Sequence, residues 1–320
     1  MNPTASIVIA TRNRPQALDT TLRTLLAQSQ IPVEAIIVDS SEGNETAQVA
    51  ARYAAQASFA IRYIHVTVPS AAGQRNRGVE LATGDIVVFM DDDVELDRAF
   101  LEELLVPFEG EQNKDVGGVC GLITNQCYVP PSALNAILLG WIMGDRSGKW
   151  AGRVVGPAVN FLPADIPSAV QPVEWLNTGG TAYRRSILLE FPFGSHFEGY
   201  SFGEDLDLST RIGRSYRLLN TTKARYYHHD LGQATHKNWV AIGLSSVLNR
   251  YRILTNVLRR DSLEHRIRFF LFEIPYGALA ALVSSRLRPA RLSQFALLFL
   301  GKIRAFWIIW TGAKGERTLV

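Results

Sequence analysis

The first half of the chain alternates short, continuous apolar runs with longer segments in which apolar residues recur every three or four positions. The runs are rich in β-branched residues and predict strands at SIVIAT (6–11), VEAIIVDS (33–40), IRYIHV (61–66) and DIVVFMD (85–91). The periodic segments predict helices over 15–29, 46–57, 72–82 and 97–108. Apolar strands separated by helices are typical of a mostly parallel sheet covered on both faces, so we predict an α/β fold.

Three of the predicted strands end in polar residues. These ends are TRN at 11–13, DSS at 39–41 and DDD at 91–93. In parallel sheets, ligands bind in the crevice outside the carboxyl ends of the strands. We therefore expect the three polar ends to meet in one ligand-binding crevice.

The pattern of the later chain is less regular. Between about 124 and 172, glycine, proline and tryptophan are scattered without a period, which predicts loops and an inserted segment. Residues 173–191 predict a strand, a glycine-rich turn and a short helix, and 203–215 predict a helix. Residues 217–229 predict two short edge strands, and the pattern is helical from about 237 onward.

The helical tail contains two strongly apolar segments, 269–285 and 292–310. Glu273 interrupts the first segment, and Lys302 and Arg304 lie near the middle of the second. A central charge is costly in hydrocarbon, so we expect helices that lie on a membrane surface or pack on the rest of the protein. We predict two domains, an α/β domain over 1–232 and a helical, basic and apolar extension over 233–320.

Charge and cysteine content narrow the possible partners. The formal net charge of +3 over 320 residues is too small to indicate a nucleic-acid partner. Between Asn249 and Arg291, however, the sequence contains nine arginines and only three acidic residues. This excess of positive charge favours an anionic membrane surface as the partner. The two cysteines form no metal-binding motif. The N-terminus shows no secretory pattern, so we expect a cytoplasmic protein, peripheral at the inner face of the cell membrane.

The acidic run at 91–93 has two interpretations. A solvated turn is the common one for short acidic runs. However, carboxylates at the mouth of a buried strand lose hydration and raise one another's pKa. A divalent cation that prefers oxygen ligands, Mg²⁺ or Mn²⁺, removes this conflict. The run alone does not decide between the two.

Several ordered motifs across residues 5 to 230 together resemble the family 2 glycosyltransferases. They are SIVIATRNRP, VDSS, GQRNRGVELATGDIVVFMDDDVEL and GEDLDLSTRI. The resemblance implies the GT-A fold and a nucleoside-diphosphate sugar donor. It also implies a DxD motif that holds a divalent metal on the donor diphosphate. Asp91 and Asp93 match its two positions, and the role of Asp92, either metal or donor binding, is open.

The resemblance also implies residues that bind the donor. Asp39 matches the residue that hydrogen-bonds the base or ribose, although an aspartate before two serines also forms turns. Arg75 and Arg77 flank Asn76 on the helix before the acidic strand, and the sequence does not choose between the two arginines. The full set of donor-binding candidates is Thr11, Arg12, Asp39, Arg75, Asn76, Arg77, Asp91, Asp92, Gly179 and Gly180.

The second acidic cluster resembles the ED motif of the same family, whose aspartate is the general base. Asp205 matches that aspartate, and Glu204 is the alternative. A plain helix start is the competing interpretation, because acidic residues stabilise the N-terminus of a helix. We expect Asp207 and Arg211 to pair with neighbours and to orient this helix, with Arg211 on the acceptor side.

The remaining candidates lie between and after these motifs. Gly179 and Gly180 would let the backbone approach the donor sugar, or would form a plain turn. Trp175 would offer an apolar face to the acceptor, or would belong to the core. His228 matches a third metal ligand in many members of the family, with His229 as the alternate, and an imidazole suits Mn²⁺ better than Mg²⁺.

The resulting hypothesis is an inverting, metal-dependent transfer of a sugar to an acceptor hydroxyl. The acceptor would be a glycan or a lipid-linked sugar in cell-surface polysaccharide or glycolipid assembly. The QxxRW motif of processive synthases is not present, so transfer of one or a few sugars is favoured. The alternatives are a sugar-phosphate nucleotidylyltransferase and a non-catalytic nucleotide-sugar-binding protein.

Overall fold

The structure, a computed structural model, describes residues 3–197, 202–229, 238–285 and 289–312. The strands are β1 (Ala5–Thr11), β2 (Glu34–Asp39), β3 (Ala60–His65), β4 (Ile86–Met90), β5 (Val94–Leu96), β6 (Val116–Ile123), β7 (Val154–Val155), β8 (Val159–Asn160), β9 (Val170–Pro172), β10 (Gly180–Arg184) and β11 (Arg217–His228). The helices are α1 (Pro15–Leu26), α2 (Glu45–Ala54), α3 (Ala71–Leu81), α4 (Phe100–Leu105), α5 (Ala133–Met143), α6 (Arg185–Glu190), α7 (Glu204–Ile212), α8 (Trp239–Arg252), α9 (Leu263–Leu271), α10 (Gly277–Ser285) and α11 (Pro289–Thr311). Two π-helical segments, Ile253–Val257 and Phe272–Tyr276, follow α8 and α9 directly.

Among the described residues, nine strands form one sheet in the order β3-β2-β1-β4-β10-β6-β11-β5, with β9 also paired to β11. The β3-β2-β1-β4 half is parallel throughout, and β11 is parallel to β6. Strand β10 runs antiparallel between β4 and β6, so β6 and β11 run in the same direction as β4. The carboxyl ends of β1, β2, β4 and β11 therefore reach the same edge of the sheet.

Apolar side chains alternate between the two faces of the strands and form a core on each face. On one face, Ile7 belongs to the same buried cluster as Leu22 of α1 and Phe100 of α4. On the other face, Val8 belongs to the cluster that contains Leu208 of α7. Helices thus cover both faces of the sheet, and the predicted α/β fold is confirmed.

The prediction of two short edge strands over 217–229 is wrong, because β11 is one strand paired on both sides. The polar stretch after Leu219 suggested a turn. The register with β6 instead shifts between Asn220 and Arg225, which lets the strand continue through an irregularity. The fully buried Asn220 amide donates to the carbonyls of Cys120 and Gly121, both at 3.1 Å, which satisfies its polar group.

Three other expectations differ from the structure. The strand predicted at the start of 173–191 begins only at the second glycine, Gly180, as β10. The helix predicted over 97–108 begins at Phe100, since the backbone N–H of Asp97, directly after β5, still donates to the carbonyl of Arg225 on β11. The segment 124–172, predicted as loops, contains α5. This helix is apolar on nearly every side, so its sequence has no helical period to detect.

Contacts within the chain divide it into two compact units. Unit 1 comprises Met1–Val129, Ala151–Arg153 and Phe161–Leu231, and contains the nine-stranded sheet. Unit 2 comprises Pro130–Trp150, Val154–Asn160 and Gly232–Val320. The sequence prediction assigned everything before residue 233 to the first domain. The structure instead groups α5 and the β7–β8 hairpin with the C-terminal helices.

Helices α8 and α11 approach closely within unit 2. A side chain on Gly243 would overlap the carbonyl oxygen of Leu298, and one on Gly301 would overlap that of Val240. Small residues at a helix crossing allow such backbone proximity. Among the described helices, only α11 is long and apolar enough to cross a membrane, a statement about length and composition alone.

Candidate active site

The carboxyl ends of β1, β4 and β11 bring one polar cluster together. Asp91, Asp92 and Asp93 follow β4 directly, Thr11 ends β1, and His228 ends β11. The buried apolar side chains of β4 fix the position of the acidic run. The predicted convergence of the polar strand ends is therefore confirmed, since Thr11 contacts Asp92 and the backbone N–H of Asn13 donates to Ser41 Oγ at 2.7 Å. Ligand binding there stays a prediction.

Asp92 is buried, and its carboxylate points toward the loop between β1 and α1. Thr11 Oγ1 donates to its Oδ2 at 2.6 Å, and Arg14 Nη1 donates to its Oδ1 at 2.7 Å. Burial raises the pKa of Asp92 to about 7, against the opposing charge of Arg14. Both carboxylate oxygens of Asp92 therefore have protein partners.

Asp91 and Asp93 each give one oxygen to an arginine and turn the other toward His228. Arg75 donates to Asp91 Oδ1 at 3.0 Å, and Arg14 donates to Asp93 Oδ2 at 2.5 Å. His228 Nε2 lies 3.1 Å from Asp93 Oδ1 and 3.7 Å from Asp91 Oδ2. Burial opposes ionisation of Asp93, but the hydrogen bond from His228 and the charge of Arg14 outweigh it and lower its pKa.

These three side chains fit a divalent metal ion. Asp91, Asp93 and His228 each offer one ligand atom, and the three atoms lie within 4.8 Å of one another. Two carboxylate oxygens and an imidazole nitrogen are ligands that Mn²⁺ accepts, and the arginines fix the carboxylates from behind. The arrangement favours Asp91 and Asp93 as the metal-binding pair, because Asp92 is held by Thr11 and Arg14.

The second acidic pair lies at the start of α7. Gly203 before it has a φ of 87°, a left-handed conformation that glycine adopts without strain. Burial is the main cause that raises the pKa of both Glu204 and Asp205. The backbone N–H of Leu206 donates to Asp205 Oδ1 at 2.7 Å. A half-buried carboxylate with a raised pKa is suited to accept a proton near neutral pH.

Arg75 connects the two acidic clusters. Its guanidinium donates to Glu204 Oε1 at 2.8 Å with Nη1 and to Asp91 Oδ1 at 3.0 Å with Nη2. The side chain is 8% exposed and lies over the ring of Phe193. Arg77 instead pairs with Glu80 on the surface of α3. Of the two arginines between which the sequence did not choose, Arg75 is therefore the one that contacts the acidic run.

We expect Arg75→Gln to lower the free energy of unfolding by about 3 kcal/mol, because it removes the cation from a buried ion pair and leaves two carboxylates without it. Chemical denaturation of the full chain measures the change. Arg77→Gln on the same helix is the matched control, and its exposed pair predicts a change below about 1 kcal/mol. Equal effects of the two substitutions would contradict the assignment of Arg75 as the bridge.

The glycine-rich turn gives space to the acidic cluster. A side chain on Gly179 would lie 3.0 Å from Asp91 Oδ2, and one on Gly180 would lie 2.7 Å from the ring of Tyr226. The hydroxyl of Tyr226 donates to Asn177 Oδ1 at 2.9 Å. Because β10 is antiparallel to β4, the turn lies at the same sheet edge as Asp91.

Asp39 is fully buried and hydrogen-bonded within the protein. Its Oδ1 accepts from the backbone N–H of Ser41 at 2.9 Å, and its Oδ2 accepts from the Tyr63 hydroxyl at 2.7 Å. The bond to Ser41 is the turn-forming contact that the sequence left open as the alternative. Binding of a base or ribose by Asp39 stays a prediction.

Some predicted donor residues have other partners in the structure. Arg12 pairs with Glu42 on the surface, at 3.2 Å. Asn76 uses both atoms of its amide on the backbone of Phe193. His229 lies 3.1 Å from Glu95, so the structure places His228, and not its neighbour, beside the aspartates.

The predicted acceptor residues are both held in the protein. Trp175 is 5% exposed and donates its indole N–H to the carbonyl of Phe161 at 2.7 Å. It is a core residue, and its assignment to the acceptor is corrected. Arg211 pairs with Asp207 at 2.9 Å, as predicted for the orientation of α7, and also donates to the Pro192 carbonyl.

Sequence reasoning missed two residues of this cluster. Arg14 holds Asp92 and Asp93, but it entered the sequence analysis only as a residue of the motif SIVIATRNRP, with no role assigned to it. Its position directly before Pro15, which begins α1, was the available signal, because a residue there faces the ends of the strands. The fully buried Tyr226 packs against the glycine turn. The sequence did not indicate that Tyr226 is buried, because polar residues surround it along the chain.

The fold and the cluster together resemble those of glycosyltransferases of the GT-A fold. Residues 6–150 match Glycosyl transferase family 2. This segment of the chain is therefore of that family, and the curated proteins that the chain resembles are also glycosyltransferases. The uncharacterized glycosyltransferase YibD of Escherichia coli (strain K12) is 31% identical over 244 residues, which is 71% of this chain and 59% of YibD.

Two further comparisons add to this result. The amylovoran biosynthesis glycosyltransferase AmsB of Erwinia amylovora is 33% identical over 114 residues, 34% of this chain and 38% of that protein. The mannosyltransferase PcManGT from Pyrobaculum calidifontis, solved in complex with GDP-Man and Mn²⁺, has a TM-score of 0.60 at 17% identity. The match covers 96% of this chain and 88% of PcManGT, and it shows that the two share a fold.

Proposed function

We propose that this chain transfers a sugar from a nucleoside-diphosphate sugar to an acceptor hydroxyl, with inversion at the anomeric carbon. The observation that carries the proposal is the pairing of two sites through one side chain. Arg75 contacts Asp91 in the acidic run and Glu204 in the second acidic pair. This contact supports a donor site that lies next to a proton acceptor.

Asp91, Asp93 and His228 would hold the divalent cation, Mn²⁺ or Mg²⁺. Bound there, the ion would supply neutralising charge to the departing diphosphate. Arg14 and Arg75 orient the two aspartates by their outer oxygens and add positive charge beside them. PcManGT was solved with GDP-Man and Mn²⁺, which supports a donor of this class.

Asp205 acts as the general base in this proposal. Its carboxylate accepts the proton of the acceptor hydroxyl while the hydroxyl oxygen bonds to the anomeric carbon. The bond from that carbon to the diphosphate oxygen breaks, and the diphosphate leaves with the electron pair. Attack opposite to the leaving group, with no covalent enzyme intermediate, inverts the configuration.

The acceptor in this proposal is a hydroxyl of a glycan or a lipid-linked sugar in cell-surface polysaccharide assembly. The name of AmsB, an amylovoran biosynthesis glycosyltransferase, supports this class. The chain spans 59% of YibD and 38% of AmsB.

A thermal-shift screen of nucleoside-diphosphate sugars with Mn²⁺ or Mg²⁺ tests the donor class. We expect one donor to raise the melting temperature only when the metal is present, because ligand binding stabilises the folded state by mass action. The anomeric configuration of the product, read by NMR with that donor, then tests the mechanism. A product with retained configuration would falsify inversion.

A further inference from the structure

Helix α11 presents an apolar face outward from unit 2. Its large exposed side chains recur three or four residues apart, so they share one face of the helix. They are Leu300, Ile303, Trp307 and Trp310, and they are 48%, 50%, 63% and 91% exposed. The opposite face packs inward, since Gly301 approaches α8 and Ala305 is fully buried.

Three other helices of unit 2 repeat this pattern. Their large exposed apolar side chains are Leu134, Ile137, Leu138 and Trp141 on α5, Leu263, Ile267 and Phe270 on α9, and Leu279, Leu282 and Val283 on α10. Arg268 of α9 ties α5 to the unit by donating to the carbonyls of Trp141 and Ile142. An accumulation of exposed apolar side chains on four helices is unusual for a protein surface in contact with water alone.

The charges that interrupt the apolar segments are turned inward. Lys302 of α11 lies 2.7 Å from Glu273, whose side chain is 4% exposed. Arg250 of α8 contacts the other oxygen of the same carboxylate, at 3.1 Å. Glu273 and the two cations are thus paired inside the unit, so Glu273 and Lys302 do not interrupt its outer apolar surface.

The exposed charges of unit 2 are mostly positive. In its described residues, seven arginines and lysines are exposed against two acidic residues, Asp261 and Glu264. The basic set is Arg146, Lys149, Arg252, Arg259, Arg266, Arg291 and Arg304. A second copy of the chain would bring like charges together at this surface, whereas anionic lipid headgroups complement it.

We propose that the outer face of α11, with the exposed faces of α5, α9 and α10, binds in the interface of a membrane leaflet that contains anionic lipid. The helix lies in the plane of the leaflet. If α11 spanned the bilayer, the exposed Arg304 would lie in hydrocarbon, which is unfavourable. In the interface, Arg304 reaches the phosphates while Ile303 and Trp307 enter the acyl boundary.

Sedimentation with vesicles tests this proposal on the full chain. We expect binding to vesicles of phosphatidylcholine with phosphatidylglycerol, and weaker binding to phosphatidylcholine alone or at high salt. The double variant Ile303→Ser with Trp307→Ser should lower the partition to anionic vesicles at least about tenfold, because it removes two large apolar side chains from the contact. Circular dichroism checks that the variant is folded.

Val68→Ser is the matched control, because Val68 is 73% exposed on unit 1 and should not affect vesicle binding. Undiminished binding of the double variant, or no binding of the wild type to either vesicle, would overturn the proposal. So would a lipid-free dimer that depends on Trp307, which would identify a second copy as the partner. Resistance to carbonate extraction from cell membranes would overturn the in-plane orientation. The readout is binding, so failure here leaves the proposed transfer chemistry intact.

Discussion

Asp205→Asn is expected to lower turnover by about 10³-fold with the melting temperature nearly unchanged. The amide keeps the shape of the side chain but cannot take the proton of the acceptor hydroxyl. Release of nucleoside diphosphate at saturating donor and acceptor measures the loss. Asp261→Asn, an exposed site on unit 2, serves as the matched control and should keep full turnover.

The pH dependence of turnover provides a second readout of the same residue. Burial raises the pKa of Asp205 above the usual aspartate range, and only the ionised form can act as a base. Turnover should therefore fall as the pH is lowered through this raised pKa, at a higher pH than for an ordinary aspartate. If Glu204→Gln abolishes turnover while Asp205→Asn retains it, the base is Glu204.

His228→Ala and Asp91→Asn are each expected to weaken Mn²⁺ binding by more than about tenfold, since each removes a ligand atom, and loss of an outer-shell partner alone costs 10–100-fold. Titration calorimetry of the purified chain with Mn²⁺ measures this without any sugar present. The neighbouring His229→Ala is the control, because His229 lies beside Glu95 and outside the cluster. Loss of binding in His229→Ala and not in His228→Ala would refute the ligand set.

The sheet and the acidic cluster could be predicted because each rests on a strong local signal. Continuous apolar runs identify buried strands, and the carboxylates at 91–93 follow one of them directly. The parallel order of the strands then requires their polar ends to meet. Thus Thr11 and Asp91 were expected in one crevice without any knowledge of the contacts between them.

The polar contacts that the sequence did not reveal are made between residues that lie far apart along the chain. The polar residues around Asn220 suggested a turn. In the structure, the side-chain amide of Asn220 donates hydrogen bonds to carbonyls about a hundred residues earlier in the chain. Arg14 received no role from the sequence, because its partners Asp92 and Asp93 lie almost eighty residues further along the chain. Local patterns report burial and periodicity, but they do not report which polar groups pair.

The same limit applies to the charges in the apolar tail. Glu273 and Lys302 were interpreted separately, as interruptions that made each segment unfit to cross a membrane. In the structure Glu273 forms two ion pairs, one with Lys302 and one with Arg250, and neither Glu273 nor Lys302 lies on the outer surface. Their spacing along the chain carries no sign of this pairing.

The bridge made by Arg75 has a consequence for how variants of this enzyme are interpreted. One guanidinium holds Asp91 and Glu204 together, so the two carboxylates share a single counter-charge. A substitution at Asp91 frees Arg75 to bind Glu204 more tightly, and the electrostatic environment of Asp205 changes with it. Losses measured at the two ends of the site are therefore not expected to add, and in the proposed mechanism the difference from additivity would measure how strongly donor binding and proton transfer are linked.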